Sequence, residues 1–338
     1  MTLPPIGFPA QSTSTLLRNL LSDLKGEADV ARVEAVTGRI EDVPKALGGR
    51  VREPLELERD FSDLEQYRQI IAIAETRSAA TQGAIENLRT LTDDLTNQAT
   101  LALQNGTQNG LETMSRYADE SLRSAISSLN TSIGGRAIFS GDAGDVLPLA
   151  DAETIIAEVA TLLSGATDAT VASDAVRDAF NDPGGLFETT LYAGGTGDAP
   201  AAEIAEGERV NYQSRADEQV YRDITRNYAV LAVAYDPATA LPDDVREGIA
   251  EAALLELRNA VDPLNRESAR IGVAEERMDT MKARHIVTET ALTESLNDLT
   301  GADALTAAAR MQEVEGQLEI LFLTTARLSQ LSLSNFLR

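Results

Sequence analysis

The sequence predicts a mainly α protein: a long antiparallel helical bundle or coiled-coil rod formed by the N- and C-terminal arms, with a small mixed α/β module inserted in the middle. Three observations predict it. Apolar residues recur at steps of three, four and seven along both arms, the spacing of one helix face. Aromatic residues are only 4% of the chain and Trp is absent, so its cores are built from Leu, Ile, Val and Ala, which suits helix-on-helix packing better than a β-sandwich. The helical pattern then lapses between Phe139 and Tyr212, where Gly, Asp, Ala and Pro dominate.

Element by element, Pro4, Pro5 and Pro9 favour an extended leader, and Ser12 to Thr15 offer helix N-caps. Leu16, Leu17, Leu20, Leu21 and Leu24 follow at helical spacing. A second apolar row, Val33, Val36, Ile40, Val43 and Leu47, is broken by Pro44 and Gly48-Gly49. This first helix has no partner nearby in sequence for its stripe. A stronger helix starts near Pro54 and keeps a near-heptad row through Leu57, Phe61, Leu64, Ile71, Ala74, Ile85, Leu88, Leu95 and Ala102, until Asn105-Gly106 ends it. Some 50 residues of helix span roughly 75 Å, longer than a globular helix and suited to a bundle rod. Leu111, Met114, Ala118, Leu122, Ala125 and Leu129 mark a third helix, which Gly134-Gly135 closes.

In the middle, Ile155, Ile156, Val159, Leu162 and Leu163 suggest one short helix, and Gly207 to Tyr212 one strand after a turn. The rest reads as turns and short strands. Residues 141–210 hold 14 Asp and Glu against 2 Arg, which reads as a solvated outer module. Helix returns after Ala216 and runs to Asp236-Pro237, and Pro242 opens the next one. That helix carries the clearest register: Leu264, Ile271, Met278, His285, Leu292 and Leu299 lie seven apart, the mark of a supercoiled seam. Gly301 is a possible interruption. A last helix carries Met311, Val314, Leu318, Leu321, Leu328 and Leu331. Two arms that each expose one stripe pack most simply on each other, with the chain ends at one end of a rod and the acidic module at the other.

The 338 residues suggest two or three domains. We divide them as a terminal helical domain (1–48 with 300–338), a helical rod (49–140 with 213–299) and an acidic outer domain (141–212). A net charge of -25 disfavours binding to nucleic acid or anionic membrane, whose phosphates it repels. The absence of Cys excludes disulfides and thiol chemistry, and the single His285 excludes a His cluster for metal. A serine triad through His285 is formally open, but no convincing catalytic, cofactor or metal site emerges, and no small-molecule substrate is expected. No apolar stretch spans a membrane, and Met1 to Ala10 does not read as a Sec-type signal peptide.

Three segments carry a family resemblance. Glu34 to Ile40 (EAVTGRI) resembles the LSTGKRI region of flagellins and their junction relatives. Gly135 to Gly141 (GRAIFSG) looks like the GRYLFSG motif, carried by Gly135, Arg136, Phe139 and Gly141. The ending Leu328 to Arg338 is similar to the family's LSLxNYL. In order and with the helix layout, they cover roughly two-thirds of the chain and resemble the hook–filament junction branch of the flagellin family. The start, Met1 to Gln11, departs from the family pattern, as does Gly49 to Pro54, where an Asp-Asp-Pro is usual.

The resemblance implies an extracellular structural protein of the bacterial flagellum, exported unfolded through the type III apparatus without cleavage. It implies that the terminal arms order on assembly. Its partners are then the other hook-associated junction protein, flagellin, an export chaperone and copies of itself in a ring. The expected assembly residues are Leu16, Leu20, Leu24, Leu318, Leu321, Leu328, Leu331 and Phe336. A short flagellin that forms the filament, and a non-flagellar coiled-coil adaptor, stay open as alternatives.

Other candidates have plainer readings. His285 in the seam either penalises wrong registers and senses pH, or sits at the seam edge reaching solvent, which we prefer. Asp142, Asp145 and Asp151 lack the alternation of a calcium loop and read as an acidic exposed loop. Gly194 to Gly197 lacks a following Lys and reads as a flexible turn. Asp93-Asp94, adjacent on a helix, do not face each other and read as solvated.

Overall fold

The computed structural model describes residues 10–49 and 52–336. The leader with Pro4, Pro5 and Pro9 lies outside the described residues, as do the side chains of Leu328, Leu331 and Phe336. The chain resolves into two compact units, one drawn from Met1–Glu65 and His285–Arg338, the other from Gln66–Arg284.

The first unit rests on a helix pair. Helix α1 (Ala10–Thr37) already includes Ser12 to Thr15 in its range. It stops at Thr37, so the apolar row from Val33 to Leu47 is not one helix. The short α2 (Val43–Ala46) follows, with the Asp42 carboxylate accepting the Lys45 N–H at 3.0 Å. Helix α9 (Ala304–Phe336) is capped by Asp303, which accepts the Leu305 N–H and the Thr306 hydroxyl at 3.0 and 2.8 Å. Helices α1 and α9 run antiparallel: Ile40 N–H reaches the Thr300 carbonyl at 2.8 Å, and further along Arg310 pairs with Glu27 at 2.7 Å. Leu24, Ala28, Val314 and Leu321 bury their side chains between them. Two ends far apart in sequence thus form one small core.

The second unit is built on the long helices α3 (Arg52–Asn105) and α8 (Asp243–Thr300), which both continue beyond it. Within it they run antiparallel, because partners on α3 ascend as those on α8 descend: Glu75–Lys282, Ser78–Glu275, Gln82–Ser268 and Thr100–Arg258. On α3 two rows of buried positions keep a strict heptad in this unit, Ile71, Ser78, Ile85, Thr92 and Ala99 in one and Ala74, Thr81, Leu88, Leu95 and Ala102 in the other. The hydroxyls in this seam are satisfied. Ser78 donates to Glu275 at 2.6 Å, Thr81 to the Arg77 carbonyl at 3.0 Å, and Thr92 pairs with the Tyr228 hydroxyl at 2.7 Å. Helix α4 (Gln108–Leu129) follows, its predicted stripe buried throughout.

Gly134-Gly135 do not close α4, which ends at Leu129. They form the two-residue turn of a hairpin, β1 (Ser132–Ile133) on β2 (Arg136–Ala137), with φ of 62° and 77°. Such a turn needs positive φ at both central residues, which Gly alone adopts freely.

The acidic middle holds more helix than its composition suggests. Helices α5 (Ala152–Leu163) and α6 (Ala169–Asn181), each capped by an Asp, are followed by one π-helical turn, Phe187–Leu191. Their apolar residues Ile155, Val159, Val176, Phe180 and Phe187 join the same core as α4. The stretch is acidic at its surface, yet it is packed rather than merely solvated. A second hairpin, β3 (Ala202–Ala205) on β4 (Glu208–Val210), contains the predicted strand.

Helix α7 (Gln219–Ala234) is covered nearly all round by α4, α5 and α6. Its polar residues therefore need partners. Arg226 sits between Asp223, at 2.7 Å, and Glu256, and Asn227 donates to Glu256 at 3.1 Å.

At the start of α7, Glu218 accepts the Arg215 N–H at 3.1 Å and the Ser214 hydroxyl at 3.2 Å. Burial, and then the nearby Glu267 carboxylate, raise its pKa above the ordinary glutamate range. A carboxyl whose pKa is higher in the folded chain than in the unfolded one adds stability below the unfolded value. That contribution is lost as pH rises through the folded value. Glu218→Gln keeps an oxygen acceptor and cannot ionise. The variant is expected to melt above wild type at about pH 8, with the gap closing toward about pH 4. Thermal melts followed by circular dichroism check this, and an equal gap at both values would refute it.

Candidate functional site

The residues chosen from the sequence fall into two places. The first is the α1–α9 pair. Of the predicted assembly residues, Leu24 and Leu321 are buried between the helices and Leu318 is half-buried against them. Leu16 and Leu20 point away, 69% and 44% exposed. These two do not seal the intramolecular core.

Sequence reasoning missed the outer side of α9. In the run Leu318 to Leu323 only Glu319 is polar. Leu318 and Leu321 face α1, while Ile320, Phe322 and Leu323 are 65%, 52% and 57% exposed. Phe322 and Leu323 line a shallow groove with Leu318 and Ala326, flanked by Glu315 and Glu319. A helix that is apolar on every side is normally buried on every side. Here α1 covers one side, and the rest faces out. The signal was present in the five-in-six apolar run, but a search for a single stripe passes over it.

The second place is the GRAIFSG segment. It is a knot of backbone contacts within the second unit. Arg136 is exposed on β2, whereas Phe139 is fully buried, edge-on to Tyr221 at 5.7 Å. The Phe139 carbonyl accepts the Ala216 N–H at 2.9 Å, and the Ser140 carbonyl accepts the Gly195 N–H at 2.8 Å. Gly141 has φ +59°, and a Cβ there would lie 2.4 Å from the Gly197 carbonyl oxygen. Glycine is required at this position on both grounds.

These contacts overturn the flexible-turn reading of Gly194 to Gly197. Asp142 N–H donates to the Gly197 carbonyl at 3.0 Å, Arg215 to the Thr196 carbonyl at 2.8 Å, and the Tyr192 hydroxyl to the Gly195 carbonyl at 2.8 Å. Burial, with the Asp217 charge next, pushes the Tyr192 phenol above its usual range. The motif thus locks the hairpin after α4 onto the approach to α7.

The acidic loop serves structure as well. Asp151 caps α5 by accepting the Thr154 N–H at 2.7 Å. Asp145 is exposed, as the loop reading expects. Asp93 is half-buried and lies 3.7 Å from Arg89 on its own helix. Among the described residues no group of three or more His, Asp or Glu is placed to hold a metal ion. His285 is 5% exposed, so the preferred reading of a ring reaching solvent is corrected. It lies seven residues after the buried Met278 on α8. No helix among the described residues is long and apolar enough to cross a membrane.

Fold and site together define a class: a mainly α protein of long paired helices whose terminal helix pair leaves part of its apolar surface exposed. No protein-family model matches the chain, and no curated protein matches it in sequence. Solved structures do match. One is a protein of Vibrio parahaemolyticus described as flagellar hook-associated, with a TM-score of 0.52 at 16% identity, over 73% of this chain and 95% of that one. Another is FlgL of Bacillus cereus, also with a TM-score of 0.52 at 16% identity, over 71% of this chain and 98% of that one. The chain has the fold of these flagellar hook-associated proteins, and the resemblance carried by its motifs holds at the level of fold.

Proposed function

We propose that this chain is a structural subunit of the bacterial flagellum that joins hook to filament, exported and self-assembling, and not an enzyme. The observation that carries the reading is the uncovered apolar surface of the α1–α9 pair. Within the chain this surface has one wall, and neighbouring subunits supply the other. The fold shared with hook-associated proteins supports the same reading.

In this account the terminal helices (1–48 with 300–338) are the assembly domain, and 49–140 with 213–299 form the helical rod. Residues 141–212 form the outer part. The subunit assembles head-to-tail, in a ring with copies of itself, between the other junction protein and flagellin. It leaves the cell through the type III apparatus, uncut and escorted by an export chaperone.

Deleting the gene in a flagellated host tests this. The expected phenotype is hooks without filaments, with unpolymerised flagellin in the medium. Filaments of normal length would refute it. Loss of filament together with growth of the purified chain on filament seeds would point instead to a short flagellin.

A further inference from the structure

Two outward faces of the second unit carry charges that the chain itself leaves unmatched. The first is on α3. Ile73 is 54% exposed, and Arg77, its neighbour one turn on, lines a cleft with Arg136 of β2. In a chain of net charge -25, guanidinium groups of this unit such as Arg89, Arg209, Arg215 and Arg226 sit against carboxylates. Arg77 and Arg136 make no ion pair among the described residues. Arg136 is nevertheless seated: its guanidinium lies over Gly144, where a Cβ would come within 2.8 Å of Nη2.

The second face is on α8. Val273 is 59% exposed, and Glu276 and Asp279 follow at steps of three, both exposed. Neither carboxylate makes an ion pair among the described residues. The two faces lie at one level of the antiparallel helices. Ser78 on α3 donates to Glu275 on α8 at 2.6 Å, so the residues beside them, Arg77 and Glu276, are level with each other. They do not pair within the chain.

Each face thus offers one exposed β-branched side chain and two charges, positive on one and negative on the other. An inorganic anion would answer the guanidinium groups alone. A copy of this chain answers both faces at once. Copies this acidic repel one another, so a contact between them needs local complementarity of this kind. We propose that neighbouring copies meet through these faces, with Arg77 and Arg136 of one on Glu276 and Asp279 of the next and Ile73 packed near Val273. The contact is head-to-tail, and because the faces are level it repeats without shifting neighbours along the helices, as closure into a ring requires. It presupposes the self-assembling subunit of the flagellar reading and supplies the faces that meet.

The test complements the deletion strain with the full chain and counts filaments by electron microscopy. R77E/R136E and E276R/D279R are each expected to leave at least about tenfold fewer filaments than wild type, because like charges then face each other. The combined variant R77E/R136E/E276R/D279R reverses both faces and is expected to restore filaments. None of the four side chains holds an ion pair within the chain, so the melting temperature of each purified variant is expected to match wild type. Wild-type filament numbers with either two-residue variant overturn the contact and leave the flagellar reading standing. Loss in both without restoration in the combined variant also overturns it, because the occupant of each face would then be a different protein. Filaments in the uncomplemented deletion strain would instead refute the flagellar reading, and this contact with it.

Discussion

Replacing Ile320, Phe322 and Leu323 together by Asp is expected to leave a folded monomer that no longer assembles. The monomer survives because all three side chains are already largely exposed, while Leu318 and Leu321 still hold α9 on α1. Assembly fails for two reasons. Burying an aliphatic or aromatic side chain contributes about 1.5–3 kcal/mol, so three lost anchors remove on the order of 5 kcal/mol per contact. Three carboxylates must in addition be desolvated without partners. At about 1.4 kcal/mol per decade, the association constant falls by more than about a thousandfold. Complementing the deletion strain with this variant checks the point. The expected result is normal secretion, an unchanged monomer melt and no filaments. Leu318→Asp provides the contrast, since it strikes the α1 contact itself and is expected to loosen the pair even in the monomer.

The second large effect concerns the motif. Phe139→Ala is expected to destabilise the second unit by about 3–5 kcal/mol, the range for removing a fully buried aromatic side chain. Its ring has no exposed edge and meets Tyr221 at 78° between ring planes, an arrangement that adds to simple burial. The cavity would open where the Phe139 and Ser140 carbonyls anchor 214–216 and 194–197, so loss of packing there should free both segments. Urea unfolding followed by circular dichroism measures the effect. Arg136→Ala, exposed on the same motif, is expected to change the midpoint little. A Phe139→Ala loss below about 1 kcal/mol would show that the site collapses without cost.

The long helices were legible because their periodicity is long. Leu264, Ile271, Met278 and His285 hold one register over three heptads, and the pairing of α3 with α8 follows from it. The apolar row read along α3 does not include Ser78, Thr81 and Thr92. They are seam positions whose hydroxyls find partners on α8, on α3 itself and on α7, and a polar residue type gives no notice of this from one chain. Helix α6 was missed because Thr, Val, Asp and Ser dilute its helical propensity, although Ala172, Val176 and Phe180 recur every four residues behind the Asp168 cap. The hairpin at Gly134-Gly135 was read as a helix stop because a glycine pair serves both purposes.

The central claim is that the outer surface of the α1–α9 pair is covered by neighbouring subunits. The chain lacks cysteine, so Leu323→Cys introduces a single thiol on that surface. Its rate of reaction with a maleimide is to be compared between the purified chain and flagella isolated from a complemented strain. The account predicts rapid labelling of the free chain and at least about tenfold protection in flagella, as for a side chain buried in a packed interface. Equal rates in the two states, with the protein present in the flagella, would contradict it.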